Sequence, residues 1–278
     1  MRHILVYLSP NGGTERAVKQ VEKDLKSSHA IVQNQDLYRL ENFENVVNDI
    51  NRNEKKCVWF FTPVYVDHPL PQIVNIIEQL KENRNTNAVI TATWGGVSSG
   101  LALYDMYEIL TEKDIPVLGA CKILAEHSSM WEAEHPLNMG KPDNNDLEIV
   151  SDFTNQILGK IDGSKGDFGI GLKVMDYQTE KMKKDANEKN LDIAKNFLPP
   201  KKADKDLCVK CGKCVEICPV FALRFNPYPE AEENCIMCNR CVKICPEDAY
   251  PYDHKAVEKR IKEMAENSDE PKTTEFFV

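Results

Sequence analysis

Eight of the ten cysteines stand in the last third of this 278-residue chain, in two runs of identical spacing. Cys208, Cys211, Cys214 and Cys218 lead into Pro219, and Cys235, Cys238, Cys241 and Cys245 lead into Pro246. Both runs read C-x2-C-x2-C-x3-C-P, in which three closely spaced thiolates take three corners of a [4Fe–4S] cubane and the fourth serves the other cluster. The fourth cysteine lies one step further along, where a helix starts, and so points elsewhere. The spacing therefore assigns one cluster to Cys208, Cys211, Cys214 and Cys245, and the other to Cys235, Cys238, Cys241 and Cys218. Structural zinc prefers two separated C-x2-C pairs that satisfy all four ligands at once. A disulfide framework needs an oxidising compartment, and nothing in the sequence suggests secretion.

The two runs are an internal repeat with a constant offset of 27 residues. Val215 and Ile217 of the first correspond to Val242 and Ile244 of the second, so each half supplies equivalent apolar contacts between the centres. A domain of this size has too little apolar core to be secure without its metal centres.

A second candidate site precedes these runs. After an apolar stretch at Ile4–Leu8 comes Ser9-Pro10-Asn11-Gly12-Gly13-Thr14, followed at once by a helical pattern. Hydroxyls, glycine backbone and a helix N-terminus together hold a phosphate without a metal. No Walker lysine follows, so the loop is not a P-loop. Two further loops carry one aromatic each beside small residues: Thr62-Pro63-Val64-Tyr65-Val66-Asp67-His68-Pro69 and Thr93-Trp94-Gly95-Gly96-Val97-Ser98-Ser99-Gly100. A planar ring on a ribityl-phosphate tail would need this arrangement. Asp67 and His68 are candidates for a proton relay beside it. His127, after a later strand, is more simply read as an ordinary hydrogen-bonded histidine.

The elements that must position these loops are legible as alternation. Strand-like runs at Ile4–Leu8, Cys57–Thr62, Ala88–Thr93 and Val117–Leu124, with a more polar one at Ala30–Leu37, are separated by helical patterns near Thr14–Ser27, Pro71–Asn83, Leu101–Lys113 and Leu147–Ile161. Such alternation predicts an α/β fold, a doubly wound parallel sheet covered on both faces, followed by a small α+β domain bearing the clusters. Ligands of open parallel sheets bind beyond the carboxyl ends of the strands, where all three loops would lie. Cys57 and Cys121 fall in strands and read as small buried apolar residues.

On these residues the N-terminal part resembles a flavodoxin, and the whole chain resembles the flavodoxin–ferredoxin fusion proteins of anaerobic bacteria and archaea, over about residues 1–162 and 199–252. Flavodoxins carry S-x-T-G-N-T after the first strand. Ser9, Gly12 and Thr14 agree, whereas Asn11 replaces a threonine and Gly13 an asparagine. The resemblance implies FMN as cofactor beside two [4Fe–4S] clusters. It implies FMN contacts from Ser9, Asn11, Gly12, Gly13 and Thr14, from Pro63, Val64 and Tyr65, and from Thr93, Trp94, Gly95 and Gly96, with Tyr65 stacking on the ring. Ala125–Ser128 and Gly140–Asp146 also resemble segments of the fusion proteins, in which arginine is commoner than Lys141. Asp143 or Asn145 is placed to cap the following helix.

The predicted organisation is a flavodoxin-like FMN domain at 1–162, a linker with a helix at 163–198, a two-cluster ferredoxin domain at 199–252 and a charged tail at 253–278. The linker opens on the glycine-rich stretch Gly163–Gly171, a flexible joint. It continues as a lysine-rich helix, solvated or forming a basic docking face. The tail is expected to be helical at first and loose near Ser268–Thr274. Net charge is −9, with 35 basic against 44 acidic residues, which argues against nucleic acid. No run reaches the length of a membrane span, and a reducing cytoplasm is the expected location. The expected partners are redox proteins, and homo-oligomers that pass electrons between subunits stay open. The resemblance implies electron transfer through FMN and the clusters. The alternatives are a reductase of a quinone or nitro compound fed by the clusters, and an FMN-free domain that docks the ferredoxin.

Overall fold

The computed structural model describes residues 1–83, 85–163, 169–198 and 201–278. The first 162 residues alternate β1 (Arg2–Tyr7), α1 (Gly13–Ser27), β2 (Ile31–Asp36), α2 (Glu44–Ile50), β3 (Lys56–Pro63), α3 (Pro71–Glu78), β4 (Thr86–Trp94), α4 (Ala102–Glu112), β5 (Val117–Leu124) and α5 (Asn144–Asp162). All five strands are parallel, in the order 2-1-3-4-5, the flavodoxin-like doubly wound order with its switch point between β1 and β3. The strand runs read from sequence are those observed. The short α2 is additional; its Val46, Val47 and Ile50 are buried.

The apolar runs are central because helices cover both faces. Every residue of β3 and β5 is buried. One face packs Ile4, Val58, Phe60 and Ile90 against α3 and α4, and the other packs Leu5, Trp59, Phe61 and Val89 against α1 and α5. Strand β2, with the polar sequence IVQNQD, lies at the edge and is partly exposed. Cys57 and Cys121 are fully buried, and burial pushes both thiols up, as expected of apolar packing residues.

Residues 164–168 of the predicted flexible joint, and Pro199 and Pro200, lie outside the described residues. From Ile170 the connector packs on the first domain: Ile170 donates its N–H to Val117 O at 2.7 Å, and Ile170, Met175 and Leu191 join the core. Two short helices, α6 (Glu180–Asn187) and α7 (Leu191–Phe197), stand where one was expected. Three of its lysines are held in ion pairs. Lys183 pairs with Asp176, Lys189 with Asp67 at 3.1 Å, and Lys195 with Asp192 at 2.9 Å.

The cluster domain holds α8 (Lys213–Glu216), a hairpin of β6 (Leu223–Phe225) and β7 (Pro229–Ala231), and α9 (Arg240–Lys243). Its repeat is visible in the backbone. Lys210 and Met237 take φ of 57° and 59°, Gly212 and Asn239 take 81° and 59°, and Phe221 and Asp248 take 53° and 47°, each pair related by the 27-residue offset.

The expected loose tail is corrected. After α10 (His254–Glu266), β8 (Glu275–Phe277) pairs antiparallel with β5 and closes that edge of the sheet. Glu270 and Thr274 are buried. Thr274 Oγ1 donates to Asp146 at 2.7 Å and accepts from Leu124 N at 3.0 Å. An unpaired edge strand presents open N–H and C=O groups; β8 covers β5 at Ala120, Cys121 and Lys122.

Candidate functional site

Three loops meet at the carboxyl end of the sheet, as the fold requires. In the first, Gly12 sits at φ +89° as the N-cap of α1, a conformation that suits glycine, and offers no side chain to occupy the helix terminus. Ser9 Oγ accepts from Glu15 N at 2.9 Å, which folds the loop back over the first turn. Thr14 and Thr93 share a buried hydroxyl contact of 2.7 Å that ties this loop to the end of β4. A Cβ on Gly13 would sit 3.5 Å from that of Ala125. The N-terminus of this four-turn helix, with glycine backbone around it, fits a phosphate group.

The second loop is a tight reversal. Tyr65 N and His68 O, and His68 N and Tyr65 O, bond at 3.0 and 3.2 Å, with Val66 and Asp67 at φ 51° and 66°. It carries Tyr65 toward the first loop, where Asn11 Nδ2 donates to its hydroxyl at 3.1 Å and Ser128 also bonds to it. Burial raises the Tyr65 phenol further above its ordinary range, so it stays protonated. Val64 N donates to Thr93 O at 2.8 Å, while Thr62 Oγ1 donates to Pro63 O and accepts from Leu70 N. Pro63 and Val64 thus set the backbone that presents Tyr65.

The third loop departs from expectation. Trp94 is 1% exposed, its Nε1 has no partner among the described residues, and Lys122 lies 5.5 Å from its ring. Its side chain is buried within the fold rather than set at the mouth of the sheet. A Cβ on Gly95 would meet His127 Cδ2 at 2.7 Å, and one on Gly96, at φ +84°, would meet Asn138 Nδ2 at 2.2 Å. These glycines admit the loop after β5 to close packing. Asn138 Nδ2 donates to Gly95 O at 2.9 Å. Burial holds the His127 imidazole down at about 4, so it is neutral at neutral pH, and its Nδ1 accepts from Ser129 N at 3.4 Å. Tyr65 is therefore the aromatic left beside the phosphate loop.

The proton-relay reading of Asp67 and His68 is not supported by their partners. His68 Nδ1 meets Asp105 at 2.7 Å and its Nε2 meets Ala186 O and Lys189 O at 3.0 and 2.8 Å. Asp67 pairs with Lys189 and its carbonyl accepts from Leu101 N at 2.6 Å. Both hold the connector and the β4 loop. Lys141 pairs with Asp143 and Asp146 at 2.9 Å each, and Asp143 caps α5 in a capping box with Asp146, so this segment starts a helix as expected.

Four of the eight cysteines are brought together around one pocket. Cys208, Cys211, Cys214 and Cys245 line one pocket, together with Val209, Tyr250 and others. Among the described residues no three His, Cys, Asp or Glu side chains converge closely enough for a single metal ion. The fourth cysteine of each run accepts an equivalent backbone bond: Ala222 N to Cys218 Sγ at 3.2 Å, and Ala249 N to Cys245 Sγ at 3.3 Å.

No sequence signal foretold how the two domains meet. Asn11 Nδ2, besides bonding Tyr65, donates to Cys238 O at 3.3 Å, and Arg240 donates to Pro10 O. Tyr38 Oη donates to Ile217 O at 2.7 Å. Arg39 donates from its backbone to Pro219 O at 2.8 Å and from its side chain to Val215 O at 2.9 Å, and its guanidinium lies 4.3 Å above the Phe221 ring. On the far side Trp131 packs 4.8 Å from Tyr252, whose hydroxyl donates to Ser129 O at 3.1 Å. The second cluster loop is thereby pressed onto the phosphate loop. Ile236 is 2% exposed, whereas its counterpart Val209 is 62% exposed.

Residues 207–249 match the family described as 4Fe-4S dicluster domain. No curated protein matches the chain. A flavodoxin from the domain Archaea superposes on 58% of this chain and 99% of its own, at 18% identity and a TM-score of 0.43. Oxidised flavodoxin 1 from Bacillus cereus covers 57% and 98%, at 12% identity and 0.44. Rubredoxin:oxygen oxidoreductase from the anaerobe Desulfovibrio gigas covers 58% of this chain and 36% of its own, at 14% and 0.45. The strand order, independent of these likenesses, makes the first domain flavodoxin-like. Among the described residues no helix is long and apolar enough to cross a membrane. The chain joins a flavodoxin-like fold to a 4Fe-4S dicluster domain, a combination that supports an electron-transfer role.

Proposed function

We propose that the chain passes electrons between FMN at the carboxyl end of its sheet and a redox partner protein, by way of two [4Fe–4S] clusters. One cluster is held by Cys208, Cys211, Cys214 and Cys245, the other by Cys235, Cys238, Cys241 and Cys218. The observation that carries this reading is Asn11, whose amide bonds both Tyr65 and the Cys238 carbonyl. One side chain thus joins the phosphate loop, the ring platform and the inner cluster loop.

When bound, the flavin exchanges electrons singly or in pairs and each cluster exchanges one. The chain's own residues supply placement. Gly12, Gly13 and the first turn of α1 receive the phosphate, with Ser9 and Thr14 fixing the loop. Tyr65, on its rigid reversal, provides an uncharged face for the ring. Arg240 and Asn11 clamp the second cluster loop against that site. The first cluster loop faces outward, with Cys211 exposed, so a partner protein meets the chain there.

A second reading, a ferredoxin carried on a flavin-free docking domain, is favoured by the burial of Trp94 and by the double commitment of the Asn11 amide. The FMN content of anaerobically purified protein, by acid release and fluorescence, decides between them. Stoichiometric FMN, retained or taken up on addition, supports the first reading. Intact clusters with no FMN and no uptake would remove the flavin from the electron path.

A further inference from the structure

The two cluster halves match closely in backbone and in their N–H···S bonds, so a side chain that breaks the match is informative. Leu223 of the first half corresponds to Tyr250 of the second by the 27-residue offset. Both are 3% exposed and both belong to the core around the cysteines. Leu223 brings no polar atom there. Tyr250 brings a hydroxyl that has no satisfied hydrogen bond among the described residues. It lines the pocket formed by Cys208, Cys211, Cys214 and Cys245, and stands against the Cys214 side chain.

A buried hydroxyl without a partner is destabilising, and buried polar groups as a rule find one. A phenylalanine would fill the same space without that penalty. The group is satisfied if the sulfur beside it carries negative charge, as a cysteine ligated to a cluster does. Such a bond is stronger when the acceptor is ionised. Its effect on the centre follows from charge alone: reduction adds an electron to the cluster, and a proton donor aimed at its sulfur stabilises the more negative state. Hydrogen bonds to sulfur are among the factors that set cluster potentials.

We infer that the Tyr250 hydroxyl donates a hydrogen bond to the Cys214 sulfur and holds the reduction potential of the first cluster above that of the second. The inference rests on the ligand assignment above, in which Cys214 belongs to the first cluster. Exposure acts in the same direction, because Cys211 and Val209 open this centre to solvent while the second is pressed against the first domain. The outer cluster is then the lower-energy resting place for an electron shared between the two. The pair is biased toward carrying charge from the sheet side to the exposed face.

The test is an anaerobic potentiometric titration of the full-length, cluster-loaded protein, followed by electron paramagnetic resonance. It compares wild type with Tyr250→Phe. Nuclear magnetic resonance of labelled cysteine β-carbons assigns each potential to a cluster. Wild type should show two distinct midpoints, the higher on the cluster that includes Cys214. The variant should lower that midpoint and leave the other unchanged, with full iron content. Equal midpoints in wild type would overturn the inference, as would an unmoved upper midpoint or a parallel shift of both. Tyr250→Leu, which copies the residue of the other half, makes the same test should the phenylalanine variant fail to load. Iron analysis of Cys214→Ser tests the ligand assignment separately: a full complement of iron there would refute the assignment, whatever the potentials.

Discussion

Lys122 and Glu270 form a buried ion pair at 3.1 Å, each side chain 1% exposed. Glu270 also accepts from Ser99 N at 2.8 Å, and the ammonium lies 4.4 Å from the Tyr177 ring, with Glu275 at 3.3 Å. Removing one partner of such a pair leaves a charge in a medium that cannot solvate it, which costs about 3–5 kcal/mol. Glu275, on the exposed side, offsets part of this. We therefore expect Glu270→Gln, which can keep the Ser99 bond, to destabilise the protein by about 2–4 kcal/mol in anaerobic denaturant unfolding. The double variant Lys122→Met/Glu270→Gln should recover most of that loss, because it removes both charges, keeps volume and keeps an acceptor for Ser99 N. A Gln variant as stable as wild type would show that the clasp is held by β8 packing alone. At this scale Tyr250 and Lys122 share a logic: a polar atom in an apolar core marks the place where the surroundings must supply charge.

Among the elements, the connector depends on one imidazole. His68 directs Nδ1 at Asp105 and Nε2 at the carbonyls of Ala186 and Lys189. The carbonyls only accept, and Asp105 accepts as a carboxylate, so both contacts are satisfied together only when the ring carries both protons. The Asp105 hydrogen bond raises the pKa above 6.5, against the opposing effect of burial. The charged groups nearest the contact are Asp105 on α4 and the Lys189–Asp67 pair. A raised folded-state pKa gives stabilisation that is complete below about 6.5 and fades as pH climbs through the folded value. Amide exchange across α6 should therefore quicken as pH rises above neutrality, beyond the intrinsic base catalysis seen in an unstructured peptide control. His68→Gln, which cannot carry both protons, should abolish that excess. An unchanged excess in the variant would show that the connector is held by its apolar residues alone.

For the whole molecule, the decisive feature is the docking of the cluster domain across the carboxyl end of the sheet. Arg39 makes the densest contact of that interface, combining backbone and side-chain hydrogen bonds with the face of Phe221. Hydrogen bonds from charged groups contribute about 1.5–3 kcal/mol each when partly buried. Arg39→Ala should loosen the docked state while leaving every cysteine in place. Exchange protection at residues 215–218 should fall, and electron passage between the two domains should slow several-fold with the iron content unchanged. Unchanged protection and unchanged rate would place the strength of the interface elsewhere, at Trp131 and Tyr252.

The alternation of strands and helices, the cluster spacing and the phosphate loop could all be read from local pattern, because each rests on residues close together in the chain. The C-x2-C-x2-C-x3-C-P runs carry their own geometry, and alternating apolar runs declare a covered parallel sheet. Tyr65 could be placed beside the phosphate loop because the loop after a strand must lie at the end of that strand. Trp94 was misplaced by the same reasoning: a position at a strand end does not determine which way the ring turns, and His127 and Asn138, some forty residues on, close over its loop. Ser268–Thr274 carries no local pattern of order and reads as loose; Ser99, Lys122, Leu124 and Asp146, all more than 120 residues earlier, are what hold Glu270 and Thr274. Local pattern likewise set out two equivalent cluster halves. Which half faces the flavodoxin-like domain and which faces solvent depends on Asn11, Tyr38 and Arg39 meeting residues more than 170 positions away, a pairing that only tertiary packing decides.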